Sequence, residues 1–297
     1  MRKIKIISDS SCDLSYEEQK ELDVEVVSFQ VSCDGTTFIR DLDRTKDEFY
    51  KVLIDDPKLR PKTACPLLGD YVESFEKYAN DYDIICLCLT SKFSSSYTTA
   101  LMAKEMCEEN IANCNISVID SEQISLSQGL LIREVKKMID ANMNFNDIVS
   151  KVEEVKKTGR VLFTIGGMEY LNRGGRIGKL ALLLASKVLI RPIIVFKDGD
   201  IGSDGFSIGR RKSMHKLLDK IKDYFKKRNE SIQDYEMCVG YGSDIEEGKS
   251  FFEEVKKIMS SLCETIKVGF GQIGTTIAVH TGPYPIGLAF IKKYDRI

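Results

Sequence analysis

Asp83-Ile84-Ile85-Cys86-Leu87-Cys88-Leu89 runs directly into Thr90-Ser91-Lys92-Phe93-Ser94-Ser95-Ser96-Tyr97. A continuous apolar run of this length, bounded by a polar loop, is the pattern of a strand covered on both faces; a strand with one wet face would alternate. The helical pattern over 95–109 follows at once, so the strand hands over to a helix at its carboxyl end. Cys86 and Cys88 share one face of such a strand and act there as small hydrophobes. The stretch therefore predicts an α/β fold built on a parallel sheet.

Working outward, the same β-then-α alternation fills the first half. Strands are predicted at 3–7, 24–31 and 116–119, and helices at 15–21, 45–55, 66–78, 128–142 and 146–158. Ser15 with Glu18, and Thr45 with Glu48, have the spacing of capping boxes. Asp34-Gly35 signals a turn, and Pro66 suits the first turn of a helix. The alternation implies a parallel sheet covered by helices on both faces. Beyond residue 160 the texture changes. A strand at 161–165 leads into Gly166-Gly167, and a helix from 168 stops at Gly174-Gly175. The Ala/Leu-rich run 180–189 reads as helix, and 191–196 followed by Asp198-Gly199-Asp200 as the first strand of a hairpin. Helices at 212–227 and 246–262 and strands at 236–241 and 264–270 follow. Two α/β domains are expected, 1–160 and 161–297, with no internal repeat.

Composition fits a globular chain. Of 297 residues, 43% are hydrophobic and 30% charged, and the net charge of −2 gives no reason to expect nucleic acid or an anionic membrane as partner. No stretch approaches eighteen apolar residues, so no span is expected. Met1-Arg2-Lys3 and the short run 4–7 read as a strand entering a polar loop, not a leader. The nine cysteines are irregularly spaced, with no Cys-x-x-Cys pair. Neither a disulfide framework nor a metal site is expected, and the expected location is a reducing cytoplasm.

Three places carry the candidate chemistry. The first is the Thr90–Tyr97 loop, where the hydroxyls exceed what one helix cap needs. In an open parallel sheet it lies at the carboxyl ends of strands, and a helix start suits an anion. Ser94 or Ser95 is its expected cap and ligand contact. The second is Thr63, ahead of Pro66. The third is His280, one of two histidines, where the apolar run 277–279 reads as a strand entering Thr281-Gly282-Pro283. The three are expected to meet around one small anionic group; His215, in an exposed helix, is set aside. A Ser94–His280 hydrolase is the catalytic alternative, although Ser94 lacks the flanking glycines of a nucleophile elbow. The turns Gly166-Gly167 and Gly174-Gly175-Arg176-Ile177-Gly178 could cradle a phosphate, giving a kinase-like phosphate binder as a third reading. They lack Walker or Rossmann spacing. Arg173 and Arg176 remain to hold a charge or face a partner.

Taken in order, several segments resemble the DegV family of bacterial fatty-acid-binding proteins. These are Ser8-Asp9-Ser10-Ser11-Cys12-Asp13-Leu14, Lys62-Thr63-Ala64-Cys65-Pro66, Ser91–Tyr97 and Val118-Ile119-Asp120-Ser121. Tyr170-Leu171-Asn172-Arg173-Gly174-Gly175-Arg176-Ile177, Arg191-Pro192 and His280-Thr281-Gly282-Pro283 complete the set. The resemblance covers essentially the whole chain. It implies a long-chain, palmitate-like fatty acid buried between the two domains, its carboxylate held by Thr63 and Ser94 with His280 nearby and Ser95 and Thr281 in support. It further implies presentation of the acid to an ATP-binding kinase subunit, with Arg176 near the exchange site, and a carrier with no cofactor that is not itself the catalyst. Where members usually have Thr-Ser-Gln-Pro-Ser and Leu-Ser-Gly-Thr-Tyr, this chain has Thr63-Ala64-Cys65-Pro66-Leu67 and Phe93-Ser94-Ser95-Ser96-Tyr97, and Tyr284 stands where Gly often follows His-Thr-Gly-Pro. Both anchor hydroxyls survive. A chain of about fifteen methylenes gains roughly 0.8 kcal/mol for each one buried, so affinity is expected from an apolar tunnel. The runs 180–189 and 286–290 are its expected walls.

Overall fold

The computed structural model describes residues 2–176, 190–228, 230–263 and 266–297. The first strands and helices are β1 (Lys3–Asp9), α1 (Tyr16–Glu21), β2 (Val24–Val27), β6 (Tyr82–Cys88), α4 (Ser96–Asn110) and β7 (Ile116–Asp120). They build a parallel sheet in the order β2-β1-β6-β7. Alternation along the strands sorts the core. Ile6, Ile85 and Leu87 face α5 (Ser125–Asp140) and α6 (Phe145–Val155), while Ile7, Ile84, Cys86 and Cys88 face α3 (Leu68–Ala79) and α4. Helices thus cover both faces, which is why the central strand has no polar side. Both capping boxes form: Ser15 and Thr45 each accept from the backbone three residues on, and Glu18 and Glu48 close the reciprocal bonds.

A second sheet collects β8 (Arg160–Thr164), β9 (Ile190–Lys197), β10 (Asp200–Ile208), β11 (Tyr235–Tyr241), β12 (Gly269–Gln272) and β13 (Ile286–Lys292), in the order β10-β9-β8-β13-β11-β12. Only the β11–β12 pair is parallel among these described strands. The predicted hairpin is β9–β10, turning through Asp198 and Gly199 at positive φ. One face of the sheet packs on α8 (Arg210–Lys227) and α9 (Ile245–Leu262) through Ile193, Leu288 and Phe290. The opposite face presents Phe163, Ile194, Phe196 and Ile201 to Phe29, Leu89 and Ile124 from the first half of the chain.

Several local expectations are corrected. The run 24–31 is two strands: β2 belongs to the parallel sheet, and β3 (Gln30–Ser32) to a small antiparallel sheet with β4 (Ile39–Arg40) and β5 (Lys62–Ala64). The break falls where Phe29, buried among the residues of the second sheet, gives its N–H to Ser10 Oγ. Thr63 therefore stands on a strand, not beside a helix start, and the helix after Pro66 begins at Leu68. The run before His280 is helix, α10 (Thr275–Thr281), packed against α2 (Lys46–Asp55) and α7 (Glu169–Gly174). A short apolar run has no period with which to separate a strand from a buried helical turn. The last predicted strand is displaced to β12, and Glu264 and Thr265 lie outside the described residues. The predicted helix and tunnel wall at 180–189, with Ile177 and Gly178, also lie outside them.

Candidate functional site

Where the second sheet faces the carboxyl end of β6 and the small antiparallel sheet, the side chains leave a cavity of about 340 Å³. That lies within the usual range of small-molecule sites, about 300–1,000 Å³. Phe29, Leu89, Phe93, Ile124, Phe163 and Ile201 make much of its wall apolar. Thr63, Ser94, Ser95, Arg176, His280 and Thr281 are polar groups on the same cavity. Three chain-distant elements, β5, the loop before α4, and α10, are thereby brought to one place. Arg173 is not on the wall: it donates to the Leu59 carbonyl (3.3 Å) and lies over the Tyr170 ring.

A second, smaller apolar chamber of about 40 Å³ adjoins the first. Ile124, Phe163, Ile277 and Thr281 line both and stand between them. Gly287 and Ala289 of β13, within the 286–290 run, line this second chamber.

The polar groups are specifically arranged. Thr63 Oγ1 and His280 Nε2 are hydrogen-bonded at 2.9 Å. His280 Nδ1 is buried and has no partner among the described residues. A Cβ on Gly174 would lie 2.2 Å from that nitrogen, so the ring rests directly on the backbone of α7. Burial, and then the Arg176 guanidinium, push the His280 pKa down to about 4. The imidazole is neutral near pH 7. Arg176 itself bridges two cavity edges, donating from Nε to the Phe93 carbonyl (3.2 Å) and from Nη1 to the Gly174 carbonyl (2.7 Å).

Ser94 and Ser95 precede α4, and Ser95 stands at its N-cap position without a side-chain capping bond. Ser94 Oγ instead accepts from the Ser96 N–H (3.1 Å). Among the described residues its own O–H meets no acceptor, which leaves one donor for a ligand.

The alternative chemistries find less support in this geometry. Among the described residues, His280 bonds to Thr63 and neither to Ser94 nor to a carboxylate, so no nucleophile–base–acid series is assembled. The Gly166-Gly167 turn is a close-packing point: a Cβ on Gly167 would meet the Glu169 carboxylate at 2.1 Å, and one on Gly166 would meet Tyr284 at 3.1 Å. A phosphate at Gly167 would face that carboxylate. Among the described residues no group of three or more His, Cys, Asp or Glu could hold a metal ion, and no helix is long and apolar enough to cross a membrane.

The sequence names Thr63, Ser94, Ser95, Arg176, His280 and Thr281 of the cavity lining but little of its apolar wall. Phe29, Ile124, Phe163, Leu171 and Ile201 look like ordinary core residues, and nothing in their local pattern separates a wall from a packed interior.

Fold and site together define a class: α/β proteins with an apolar cavity and hydroxyl and imidazole groups at hand, suited to holding an amphiphile. The chain belongs to the DegV family, matching over residues 3–293 the family described as "Uncharacterised protein, DegV family". Among its relatives, a DegV domain-containing protein of Caldanaerobacter subterraneus is 30% identical, covering 99% of this chain and all of that one. One from Clostridium acetobutylicum is 29% identical, with 99% and 100% covered. Among solved structures, a stearic acid-binding protein of Eubacterium ventriosum has a TM-score of 0.93 at 39% identity, covering 99% of this chain and 100% of that one. A DegV protein of Thermus thermophilus, described by its fatty acid binding, shares the fold with a TM-score of 0.84 at 20% identity, with 98% and 100% covered.

Proposed function

We infer that this protein binds a long-chain fatty acid, with the acyl chain along the apolar cavity and toward the adjoining chamber and the carboxylate at Thr63, Ser94 and His280. The observation that carries this is a mostly apolar cavity whose polar residues include a Thr63–His280 pair at 2.9 Å and a Ser94 O–H without an internal acceptor. The 39% identical Eubacterium ventriosum protein, described as binding stearic acid, supports the same ligand class.

The proton arrangement favours an anion. If the neutral ring carried its proton on Nδ1, it would bury an unpaired N–H beside a guanidinium. With the proton on Nε2, the ring donates to Thr63 Oγ1 and leaves the threonine O–H to donate onward. Two hydroxyl donors then meet the carboxylate, with Arg176 adding positive charge nearby. These contacts offset desolvation of the head and fix its direction, while affinity comes from the tail: about fifteen buried methylenes at roughly 0.8 kcal/mol each give on the order of 12 kcal/mol before ordering costs.

The reading extends to a role. The chain carries the acid and presents its carboxylate to an ATP-dependent kinase subunit, with Arg176 at the exchange edge, Ser95 and Thr281 supporting the head and Arg173 turned toward the partner. Native mass spectrometry of protein purified from a bacterial host tests the ligand: one acyl chain per chain is expected, lost in Thr63→Ala with Ser94→Ala. Unchanged lipid content in that double variant would remove the carboxylate assignment. ATP-dependent phosphorylation of the bound acid by an added fatty-acid kinase subunit tests the partner.

A further inference from the structure

The segment Ser8–Leu14 is among the most distinctive in the sequence, yet none of its residues lines the cavity. It is instead a buried polar turn. Asp9, Asp13 and Asp41, which meets the turn from across the chain, are 0%, 4% and 5% exposed. Burial pushes the Asp9 pKa up, and raises those of Asp13 and Asp41 to about 6. Burying three carboxyl groups is costly, and apolar filling would stabilise a core at least as well. Their bonds explain the arrangement.

Each carboxyl ends on a different wall of the cavity. Asp9 Oδ2 accepts from the Leu89 N–H (2.8 Å) and from Ser96 Oγ (2.6 Å), fixing the loop that carries Ser94. Ser10 Oγ donates to Asp41 Oδ2 (2.7 Å), which also accepts from Thr276 Oγ1 (2.7 Å). Thr276 lies one helical turn before His280, on the same side of α10. Ser10 Oγ in addition accepts the Phe29 N–H (2.9 Å). Asp13 Oδ2 accepts from Ser125 Oγ, which lines the second chamber and adjoins Ile124 of the wall the two chambers share. Leu89, Phe29, Ile124 and Thr276 all line the cavity.

We propose that the Asp9–Asp13 turn, with Asp41, is the positioning element of the ligand site: it sets the Ser94 loop, the His280 helix and the Ile124 wall relative to one another without touching the ligand. This rests on the fatty-acid reading for its ligand, but not for its geometry. A satisfied network of carboxylate hydrogen bonds specifies one arrangement where apolar packing tolerates repacking.

The test compares hydroxyl deletions at equal burial. Ser10→Ala, Ser96→Ala and Thr276→Val each cut a link to a wall. Ser213→Ala removes a buried hydroxyl on α8, bonded to the Arg210 carbonyl (2.7 Å), that belongs neither to the turn nor to a cavity wall. Palmitate affinity is expected to fall about tenfold in the first three and less than twofold in Ser213→Ala, although all four lose comparable thermal stability. Ser10→Ala with Thr276→Val is expected to bind no worse than the weaker single variant, because both act through Asp41. In the ligand-free chain the His280 ring ¹⁵N resonances are expected to shift in Ser10→Ala and to stay in place in Ser213→Ala. Affinity within twofold of the parent in Ser10→Ala and Ser96→Ala, or an equal loss in Ser213→Ala, would make the turn mere core packing and overturn the proposal. If the parent binds no palmitate, the fatty-acid reading fails, and the His280 resonances still decide the positioning; should one variant not fold, the others decide.

Discussion

Thr63 and His280 meet across 217 positions of sequence, and what each contributes is separable. Hydrogen bonds to a charged group are worth about 1.5–3 kcal/mol, so Thr63→Val and Ser94→Ala are each expected to weaken palmitate binding by roughly tenfold or more, read by titration calorimetry. The imidazole gives a pH signature. Its folded pKa of about 4 lies below the unfolded value of about 6.5. The stability it contributes is therefore present above pH 6.5 and is lost as pH falls toward 4. Asp13 and Asp41, raised to about 6, act with the opposite sign: their contribution is full below their unfolded values and is lost as pH rises through 6. A bound carboxylate would draw the His280 pKa upward, so binding at pH 6 is expected to take up protons. The signal is a binding enthalpy that varies with buffer ionisation, absent in His280→Gln; no difference between the two proteins would place the carboxylate away from the ring. At this scale the sequence was informative, because a lone histidine beside a Gly-Pro turn and a crowded run of hydroxyls are rare patterns. It brings Thr63 and the Thr90–Tyr97 hydroxyls to the histidine without deciding which of them bonds to it, and it places Thr63 beside a helix start where the residue stands on β5.

The short helices carry the site, and each has a feature that packing explains. Gly174 closes α7 where the His280 ring rests on it. Elsewhere in a helix, Gly→Ala stabilises by roughly 0.5–1 kcal/mol. Here the new methyl would fall 2.2 Å from Nδ1, so Gly174→Ala is expected to cost at least fivefold in palmitate affinity with no gain in melting temperature. A more stable variant with unchanged affinity would show that the ring can move freely. Helices α1 and α2 were legible to within a residue because Ser15–Glu18 and Thr45–Glu48 write their starts into the local sequence. Helix α10 was not: 275–281 is too short to show a period, and its backbone state is decided by the α7 and α2 surfaces it fills.

For the whole molecule, the cavity lies where the inner face of the second sheet meets the first half of the chain, and its depth should set ligand length. Gly240 lines the second chamber, and a Cβ there would lie 2.8 Å from Leu126 Cδ1. Gly240→Val is expected to shift the co-purified acids toward shorter chains; an unchanged chain-length profile by lipid mass spectrometry would mean the tail does not enter that chamber. Bound acid should also stabilise the fold by mass action, about 2.7 kcal/mol at a hundredfold excess over the dissociation constant, so delipidated protein is expected to melt lower and recover on adding palmitate. The sequence by itself determined the parallel sheet and the helices on both its faces, and it named polar residues that line the cavity, because strand burial, helix caps and hydroxyl-rich loops are all written in residues close together in the chain. Only the tertiary structure decided that 277–280 is helical, that Thr63 pairs with His280, and that Phe29, Phe163 and Ile201 enclose a space rather than fill one. Whether an apolar side chain packs a core or lines a cavity depends on how far away the opposing surface stands, and no local pattern encodes that distance.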